Sequence, residues 1–223
     1  MKPDINSLII YEDPYIIVCH KPSGVPTQSA KIGTPDMASL LKTHLASRNP
    51  YLAVIHRLDQ PVEGLLVFAK TPAAAKELNR QLTTSGFGKY YRAVVTGVPD
   101  PFEGTLEDYM IKDGRTNTSR VCTKDTPGAK LARLHYRVEK VCEDVPPVTS
   151  VVKIRLDTGR HHQIRVQMAH LGCPLVGDRK YGQPTGSMPE NRKTSESLRL
   201  CAYRLEFKHP GNGKEMIFEL PEK

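Results

Sequence analysis

The sequence is built from short runs of β-branched and apolar residues that are separated by proline, glycine and acidic residues. The longest uninterrupted apolar run covers six residues, 64–69, whereas a membrane-spanning helix needs roughly 18 to 20. Short runs bounded by turn residues are typical of β-strands. We therefore expect a strand-rich globular protein without a membrane span.

The order of the predicted elements indicates the fold class. Strands are predicted at residues 7–11, 15–20, 52–55, 64–69, 90–96, 132–141, 148–156, 198–207 and 215–220, and helices at residues 37–46, 71–83 and 161–171. Residues 99–126 are predicted to be a polar stretch of turns, and residues 188–197 an exposed loop. Because helices and strands do not alternate regularly, we predict an α+β fold, with a few helices packed on a mixed, largely antiparallel β-sheet.

The chain carries 32 lysine and arginine residues against 24 aspartate and glutamate residues, which gives a net charge of +8. Half of that excess lies within residues 112–133, where six basic side chains stand against two acidic ones, and residues 153–180 have the same balance. A clustered positive excess favours a polyanionic partner such as a nucleic acid. A basic surface that binds nothing is the alternative, and charge alone does not decide between them.

The N-terminal sequence has an early acidic residue, Asp4, and no apolar stretch followed by a small-residue cleavage site. We therefore predict no export signal and a cytoplasmic location. Five cysteines occur, an odd number without a CxxC pair. This pattern argues against a disulfide framework and against a zinc-binding cysteine cluster, so we expect reduced thiols.

Asp59 follows an apolar run in the tetrapeptide His-Arg-Leu-Asp at residues 56–59. An arginine close to a carboxylate favours its ionised form, and an ionised carboxylate can act as a nucleophile. An ordinary ion pair of a loop aspartate is the alternative interpretation. A hydrolase that uses Asp59 and Glu63 as paired carboxylates is disfavoured, because residues four apart on an extended segment lie roughly 13 Å apart.

Arg160 and Arg165 lie five positions apart at the start of the last predicted helix. Donors at a helix N-terminus can bind phosphates or a carboxylate. Zinc binding by His161, His162 and His170 is disfavoured, because no glutamate or cysteine stands at a metalloenzyme spacing such as HExxH. We therefore predict no metal site, and a hydrogen-bonded structural role is the default for each histidine.

Tyr90 and Tyr91 begin a predicted strand, so alternation directs one of them inward and the other outward. Only one of them can share a pocket with Asp59, and a tyrosine of the hydrophobic core is the alternative. Neither GxGxxG nor GxxxxGK occurs in the sequence. The sequence therefore gives no support for a nucleotide cofactor.

Four segments, in the order KPSGVP, HRLDQPVEGLLVFAK, KYYRAVVTG and TGRHHQIRVQMAHLGCPLVGDRKYG, resemble the motifs of the RluA family of pseudouridine synthases. The resemblance implies the pseudouridine synthase catalytic core, and an enzyme that isomerises uridine to pseudouridine in ribosomal or transfer RNA without a metal or a cofactor. We expect residues 1–223 to form this single catalytic domain, without an appended RNA-binding domain, and to act as a monomer.

The resemblance also implies roles for three residues in the chemical step. Asp59 matches the family's essential aspartate, which attacks the uridine either at the anomeric carbon or at the base. Tyr91 matches the tyrosine of the family's K-x-Y motif with Lys89, and is expected to contact the base and accept a proton, with Tyr90 facing outward. Arg165 matches the arginine of HQIRV, and is expected to pair with Asp59 and keep it ionised.

The other implied roles concern contacts with the RNA. Arg57 resembles the residue that enters the base stack where the target nucleotide leaves it, and His56 is expected to assist that exchange. Leu156 falls where the family places an apolar contact on the base. The further predicted RNA or substrate contacts are Arg160, His162 and Lys89.

The sequence departs from the family at residues 60–63, Gln-Pro-Val-Glu, where the family usually has a polar pair and then Thr-Ser. The two hydroxyl groups are absent, and Glu63 adds a negative charge near the RNA path. Gln167 stands where the family often has histidine, and His20 where it often has asparagine. The first departure keeps a second hypothesis open: a non-catalytic RNA-binding or RNA-folding protein on the same fold.

Overall fold

The computed structural model describes residues 4–29, 33–46, 50–84, 86–144, 146–182 and 197–222, which fall into two compact units. The first unit consists of Met1–Lys89 and Cys201–Lys223, and the second of Tyr90–Leu200. Residues 188–196, most of the predicted exposed loop, lie outside the described part of the chain.

Eleven strands and four helices occur in the described residues. In chain order the strands are β1 (Ile9–Glu12), β2 (Ile16–Lys21), β3 (Ala53–Val54), β4 (Glu63–Ala69), β5 (Gly88–Thr96), β6 (Glu103–Asp113), β7 (Thr118–Cys122), β8 (Lys130–Cys142), β9 (Thr149–Leu156), β10 (Leu200–Lys208) and β11 (Glu215–Glu219). The helices are α1 (Ile5–Leu8), α2 (Met37–His44), α3 (Pro72–Thr83) and α4 (Gln163–His170).

The first unit contains a mixed sheet in which β4 is a central strand. β2 runs antiparallel to β4, and β1 runs antiparallel to β2. β3 pairs antiparallel with the C-terminal end of β4, whereas β10 runs parallel to its first residues and β11 returns antiparallel to β10. The loop that carries Asp59 leads directly into β4, so the buried strand fixes one end of that loop.

The approach of β4 to β10 requires a glycine at position 64. Gly64 has a φ of +134°, and a Cβ atom added to it would lie 2.4 Å from the carbonyl oxygen of Ala202. Any side chain here would push the two strands apart, because that distance is far below van der Waals contact.

The core of the first unit includes one face of α3. Thr71 caps this helix by accepting a hydrogen bond from the Ala74 amide, and Pro72 occupies the first helical position, as the sequence predicts. Ala74, Ala75 and Leu78 are buried in a cluster with apolar side chains of β2 and β4. The polar side of α3 is thereby left toward solvent.

The second unit contains an antiparallel sheet with the strand order β5, β9, β8, β6, β7. α4 lies against this sheet, where Val166 packs with Met110 and Ala132. α4 begins after His162 and ends before Gly172, which has a φ of +87° that terminates the helix without strain.

The prediction that residues 99–126 are a stretch of turns is wrong. β6 and β7 lie there and form an antiparallel pair, with Ile111 beside Arg120. Exposed residues alternate with partly buried ones along much of β6, so polar side chains interrupt every apolar run that would have indicated the strand. Residues 7 and 8, predicted as strand, belong instead to α1, which Asp4 caps by accepting a hydrogen bond from the Asn6 amide.

The observed elements confirm the α+β class, with largely antiparallel pairing and one parallel pair, β4 with β10, within the units. No helix in the described ranges is long and apolar enough to cross a membrane. That the whole chain acts as one catalytic domain stays a prediction.

Candidate active site

Asp59 lies half-buried in the loop between β3 and β4, which we call the aspartate loop (residues 57–62). The carbonyl of Asp59 accepts a hydrogen bond from the Val62 amide at 3.0 Å, which closes a turn directly after the carboxylate. Leu58 and Val62 on either side are buried. The polar residue is therefore carried on a backbone that is anchored in the core at both ends.

A second segment, residues 21–28, braces the aspartate loop; we call it the bracing segment. Thr27 Oγ1 donates to the Leu58 carbonyl at 2.9 Å and accepts from the Leu58 amide at 3.1 Å. The Gly24 amide donates to the Gln60 carbonyl at 2.9 Å, and Gln60 Nε2 donates to the Gly24 carbonyl at 3.0 Å. These bonds hold the backbone immediately before and immediately after the carboxylate.

Lys21, at the start of the bracing segment, is fully buried. Its ammonium group donates to the carbonyls of Pro22 at 3.1 Å, Val25 at 2.7 Å and Gln60 at 3.1 Å. Burial lowers the pKa of Lys21 to about 8, although nearby carboxylates, that of Asp59 first among them, oppose the shift. A buried positive charge thus interacts electrostatically with Asp59.

His56 and Arg57 differ sharply in environment. Burial, together with the charge of Lys89, lowers the pKa of His56 to about 3, so its ring is neutral at physiological pH. His56 Nε2 accepts a hydrogen bond of 3.4 Å from the Val67 amide, which assigns the ring proton to Nδ1. Arg57 is exposed, and its Nη2 donates to a carbonyl of the bracing segment at 3.4 Å.

In the second unit, β5 and β9 carry the predicted base contacts. Tyr91 lies beside Ile154 in the antiparallel pair and is buried, whereas Tyr90 is half-buried, as strand alternation predicts. Leu156 is the last residue of β9 and is also buried. The end of β9 therefore presents an apolar side chain on the strand that pairs with the tyrosine strand.

Arg165 is buried on α4 and forms a bidentate ion pair within the second unit. Its Nε and Nη2 atoms donate to the two carboxylate oxygens of Asp178, each at 2.7 Å. Asp178 belongs to the segment Gly-Asp-Arg-Lys-Tyr-Gly at residues 177–182. Because Asp59 and Arg165 lie in different units, their predicted pairing stays a prediction.

The two remaining predicted contacts of the second unit precede α4. Arg160 is half-buried, and its Nε donates to the Leu131 carbonyl at 2.7 Å. His162 is buried in the left-handed backbone region, with a φ of +55°. Burial, followed by the charge of Arg165, lowers the pKa of His162 to about 3, so this ring is neutral as well.

These side chains offer a defined set of chemical groups. A carboxylate can act as a nucleophile, a phenol can accept a proton, and a guanidinium can stabilise negative charge. Within the described ranges, no group of three or more histidine, cysteine, aspartate or glutamate side chains is placed to hold a metal ion.

Comparison with known proteins assigns the family. The sequence model of the RNA pseudouridylate synthase family matches residues 15–170, a range that contains Asp59, Tyr91 and Arg165. The chain is also 34% identical over 214 residues to the dual-specificity RNA pseudouridine synthase RluA of Escherichia coli, covering 96% of this chain and 92% of that protein. This chain belongs to the RluA family.

Other members of the RNA pseudouridylate synthase group are similar in sequence or in fold. The chain is 36% identical over 222 residues to ribosomal large subunit pseudouridine synthase D of Neisseria meningitidis, covering 96% of this chain but 57% of that protein. It therefore spans little more than half the length of that relative. The fold matches human RNA pseudouridylate synthase domain containing 1, with a TM-score of 0.77, 24% identity, and coverage of 100% of this chain and 86% of the other.

Two departures from the usual RluA-family sequence have clear packing roles. Val62 is only 2% exposed, so the aspartate loop has a core side chain where the family usually has a hydroxyl-bearing pair. Gln167 is buried on α4, and its Nε2 donates to the Asp108 carboxylate at 2.8 Å and to the Ala132 carbonyl at 3.3 Å. Neither substitution alters Asp59, Tyr91 or Arg165.

Three residues that contact the RluA-family motif residues are not predicted from the sequence. Lys21 is bonded to the aspartate loop, Asp178 is bonded to Arg165, and the Tyr181 ring lies 5.1 Å from the guanidinium of Arg165. All three lie inside the segments that carry the family resemblance. Their positions within these segments could have indicated a role in the site. Their burial could not be predicted, because it depends on tertiary contacts that sequence spacing does not encode.

Proposed function

We propose that this RluA-family chain isomerises uridine to pseudouridine in ribosomal or transfer RNA, with Asp59 as the nucleophile. The observation that supports the proposal is the intact His-Arg-Leu-Asp tetrapeptide of a family member, carried on a loop that is braced on both sides of the carboxylate. Holding a reacting group in a fixed geometry is a major source of rate enhancement.

The proposed reaction moves one bond and one proton. Asp59 attacks the uridine at the anomeric carbon or at the base, and the bond from the anomeric carbon to nitrogen 1 breaks. The uracil rotates and forms a new bond through carbon 5, and the aspartate is released. Carbon 5 then loses its proton, nitrogen 1 takes one up, and the product is an isomer of the substrate without any other reactant.

The second unit supplies the other proposed roles in the chemical step. Tyr91 contacts the base and accepts the proton of carbon 5, and the buried Leu156 makes an apolar contact with the ring. Arg165 pairs with Asp59 and favours its ionised form.

The proposal also assigns contacts with the RNA. Arg57, exposed on the aspartate loop, enters the base stack where the uridine leaves it. The other proposed contacts are His56, Lys89, Arg160 and His162. Neutral histidines donate or accept hydrogen bonds but add no charge to the RNA path.

Release of tritium from RNA that carries uridine labelled at carbon 5 tests this function. We expect wild type to release tritium from total cellular RNA, and Asp59→Asn to release none while it binds RNA with unchanged affinity. A silent wild type that still binds RNA would instead support the non-catalytic RNA-binding hypothesis, which the departure at residues 60–63 keeps open.

Arg165→Met tests the proposed partner of the nucleophile. We expect turnover to fall by about 100-fold, since a misplaced or partly protonated nucleophile reacts slowly, while RNA affinity changes by less than about threefold. Equal losses in turnover and in affinity would contradict the assigned role.

The proposal also includes RNA as the partner, a monomeric state and a cytoplasmic location. Size-exclusion chromatography with light scattering tests the monomer, and cell fractionation tests the location. Mapping the pseudouridines that are missing from the RNA of a deletion strain identifies the target uridine and decides between ribosomal and transfer RNA.

A further inference from the structure

The guanidinium group of Arg165 is held by more than its ion pair. Asp178, whose side chain is 0% exposed, accepts from the Nε edge of the guanidinium with both carboxylate oxygens. The same carboxylate accepts hydrogen bonds from the backbone amides of Lys180 at 2.9 Å and Tyr181 at 3.2 Å. Four donors therefore fix the orientation of Asp178, and through it the plane of the arginine.

Asp178 remains ionised in this environment. Burial alone would raise the pKa of the carboxyl group, but the hydrogen bonds from Arg165 and from the two amides outweigh burial and lower that pKa. The carboxylate therefore keeps its negative charge beside Arg165 at physiological pH.

Tyr181 contacts the same guanidinium group with the face of its own ring. The ring centroid lies 5.1 Å from the Cζ atom of Arg165, within the range of a cation–π interaction. The Tyr181 hydroxyl accepts a hydrogen bond from the Ser119 amide at 2.8 Å and lies 2.6 Å from His162 Nδ1. The ring is thus fixed at its far end as well as at its backbone.

The Tyr181 hydroxyl links its ring to a pair of stacked histidines and to Ser119. The Ser119 amide donates to the hydroxyl oxygen, and His162 Nδ1 is the second group that is hydrogen-bonded to that oxygen. Burial lowers the pKa of His162 to about 3, so the ring that faces this hydroxyl is neutral at physiological pH. The ring of His162 in turn stacks on His161 at 3.7 Å, and His161 Nδ1 bonds with Ser119 Oγ at 2.8 Å.

We propose that Asp178 and Tyr181 are positioning residues that fix the guanidinium group of Arg165 for its part in the chemical step. The inference rests on the proposed function. Asp178 binds the Nε edge of the group, and the Cζ atom of the group lies over the Tyr181 ring, so these two contacts restrict where the opposite end of the guanidinium points. A displacement of about 1 Å at such a group can lower a reaction rate about 100-fold.

Single-turnover tritium release by Tyr181→Phe and Asp178→Asn tests the inference. Tyr181→Phe keeps the ring and removes only the hydroxyl, so we expect the rate to fall about tenfold. Asp178→Asn keeps the shape and removes the charge, so we expect a fall of about 100-fold. RNA affinity is expected to change by less than about twofold in Asp178→Asn, because Asp178 is not proposed to touch RNA. Tyr181→Phe also loses the bond to His162, a proposed RNA contact, so its rate is measured at saturating RNA.

Tyr136→Phe is the matched control. The Tyr136 hydroxyl is buried in the same unit and donates to the Pro101 carbonyl at 2.8 Å, apart from the Arg165 cluster. Its loss should lower the melting temperature about as much as Tyr181→Phe and leave the single-turnover rate unchanged. Equal rate losses in the two variants would mean that any buried tyrosine hydroxyl serves equally well, which overturns the inference.

A double-mutant cycle separates positioning from a general structural effect. If Tyr181 acts through Arg165, Tyr181→Phe should cost nothing further in the Arg165→Met background. Rate losses that multiply would show that Tyr181 acts independently of Arg165, and would overturn the inference.

A measurement without turnover keeps this inference distinct from the proposed function. We expect rotation of the Arg165 guanidinium, followed by ¹⁵N NMR of its side chain, to be slow in wild type and faster in Tyr181→Phe and Asp178→Asn. Slow rotation in both variants would overturn the inference whatever the activity. The opposite outcome is also possible to distinguish. If wild type releases no tritium but the variants rotate faster than wild type, the proposed function is overturned. Asp178 and Tyr181 then still fix Arg165.

Discussion

Lys21 and Arg165 are both buried cations, but their charges are compensated in different ways. Arg165 faces a carboxylate in a bidentate pair, whereas Lys21 faces three backbone carbonyls that carry only partial charge. Carbonyl dipoles do not fully replace lost hydration, which is why burial lowers the pKa of Lys21. At the residue scale, Lys21 is therefore the cation that titrates near physiological pH, since an arginine stays protonated throughout.

Replacing Lys21 with methionine should lower the free energy of unfolding at pH 7 by about 2 kcal/mol, because three carbonyls lose the charged donor that joins the bracing segment to the aspartate loop. Urea denaturation of wild type and Lys21→Met measures the difference. Lys76→Met is the matched control, since Lys76 is exposed on α3, and its effect should stay within about 0.5 kcal/mol. Equal stability of Lys21→Met and wild type would contradict the bracing role.

The effect of Lys21 on stability should also depend on pH in a defined direction. The pKa of Lys21 is about 8 in the folded chain against an ordinary value of 10.5, so the unfolded chain binds this proton more tightly. The free energy of unfolding of wild type therefore rises with pH between these two pKa values. Lys21→Met lacks the lysine and should not show this rise. The stability gap between the two proteins should be constant below pH 8 and widen above it; a gap that narrows would contradict the lowered pKa.

At the scale of elements, the junction of β4 with β10 fixes the end of the aspartate loop and depends on one glycine. Gly64→Ala places a Cβ atom against the Ala202 backbone at a left-handed position, so we expect a loss of about 3 kcal/mol or more of unfolding free energy. Gly213→Ala is the matched control, because Gly213 has a φ of +72° but nothing within 4 Å of its added Cβ. It should cost only about 1 kcal/mol.

Sequence patterns located elements well where one residue type determines the local structure. Thr71 and Pro72 define the start of α3, and the apolar runs at residues 64–69 and 148–156 became β4 and β9 with small shifts. β6 was missed because its exposed positions are polar or charged, which mimics a loop until a partner strand is known.

The residues of the candidate site could also be predicted only in part from the sequence. The family resemblance points to Asp59, Tyr91 and Arg165, which lie within the range that the family model matches, and their roles stay predictions. Lys21 and Asp178 were not recognised, because charged side chains are exposed by default and their burial follows from tertiary contacts alone.

At the scale of the whole molecule, the net charge of +8 predicts that RNA affinity falls steeply with added salt. Lys112 and Arg115 are exposed near the turn between β6 and β7, within the most basic stretch. Lys112→Glu with Arg115→Glu should weaken RNA binding and reduce the salt slope by about 1 to 2. Lys42→Glu with Lys76→Glu makes the same charge change on α2 and α3, and an equal loss there would assign the effect to overall charge.

The hydrogen bonds between the bracing segment and the aspartate loop affect how this part of the first unit opens locally. Gly24 and Leu58 donate their amides across this junction, and Val62 donates within the loop that it secures. If the junction opens as one unit, the three amides should show the same free energy of opening in hydrogen–deuterium exchange. The Asp59 carboxylate would then leave and regain its position in a single all-or-none opening. The lifetime of the closed form would limit how long a bound nucleoside stays aligned with it.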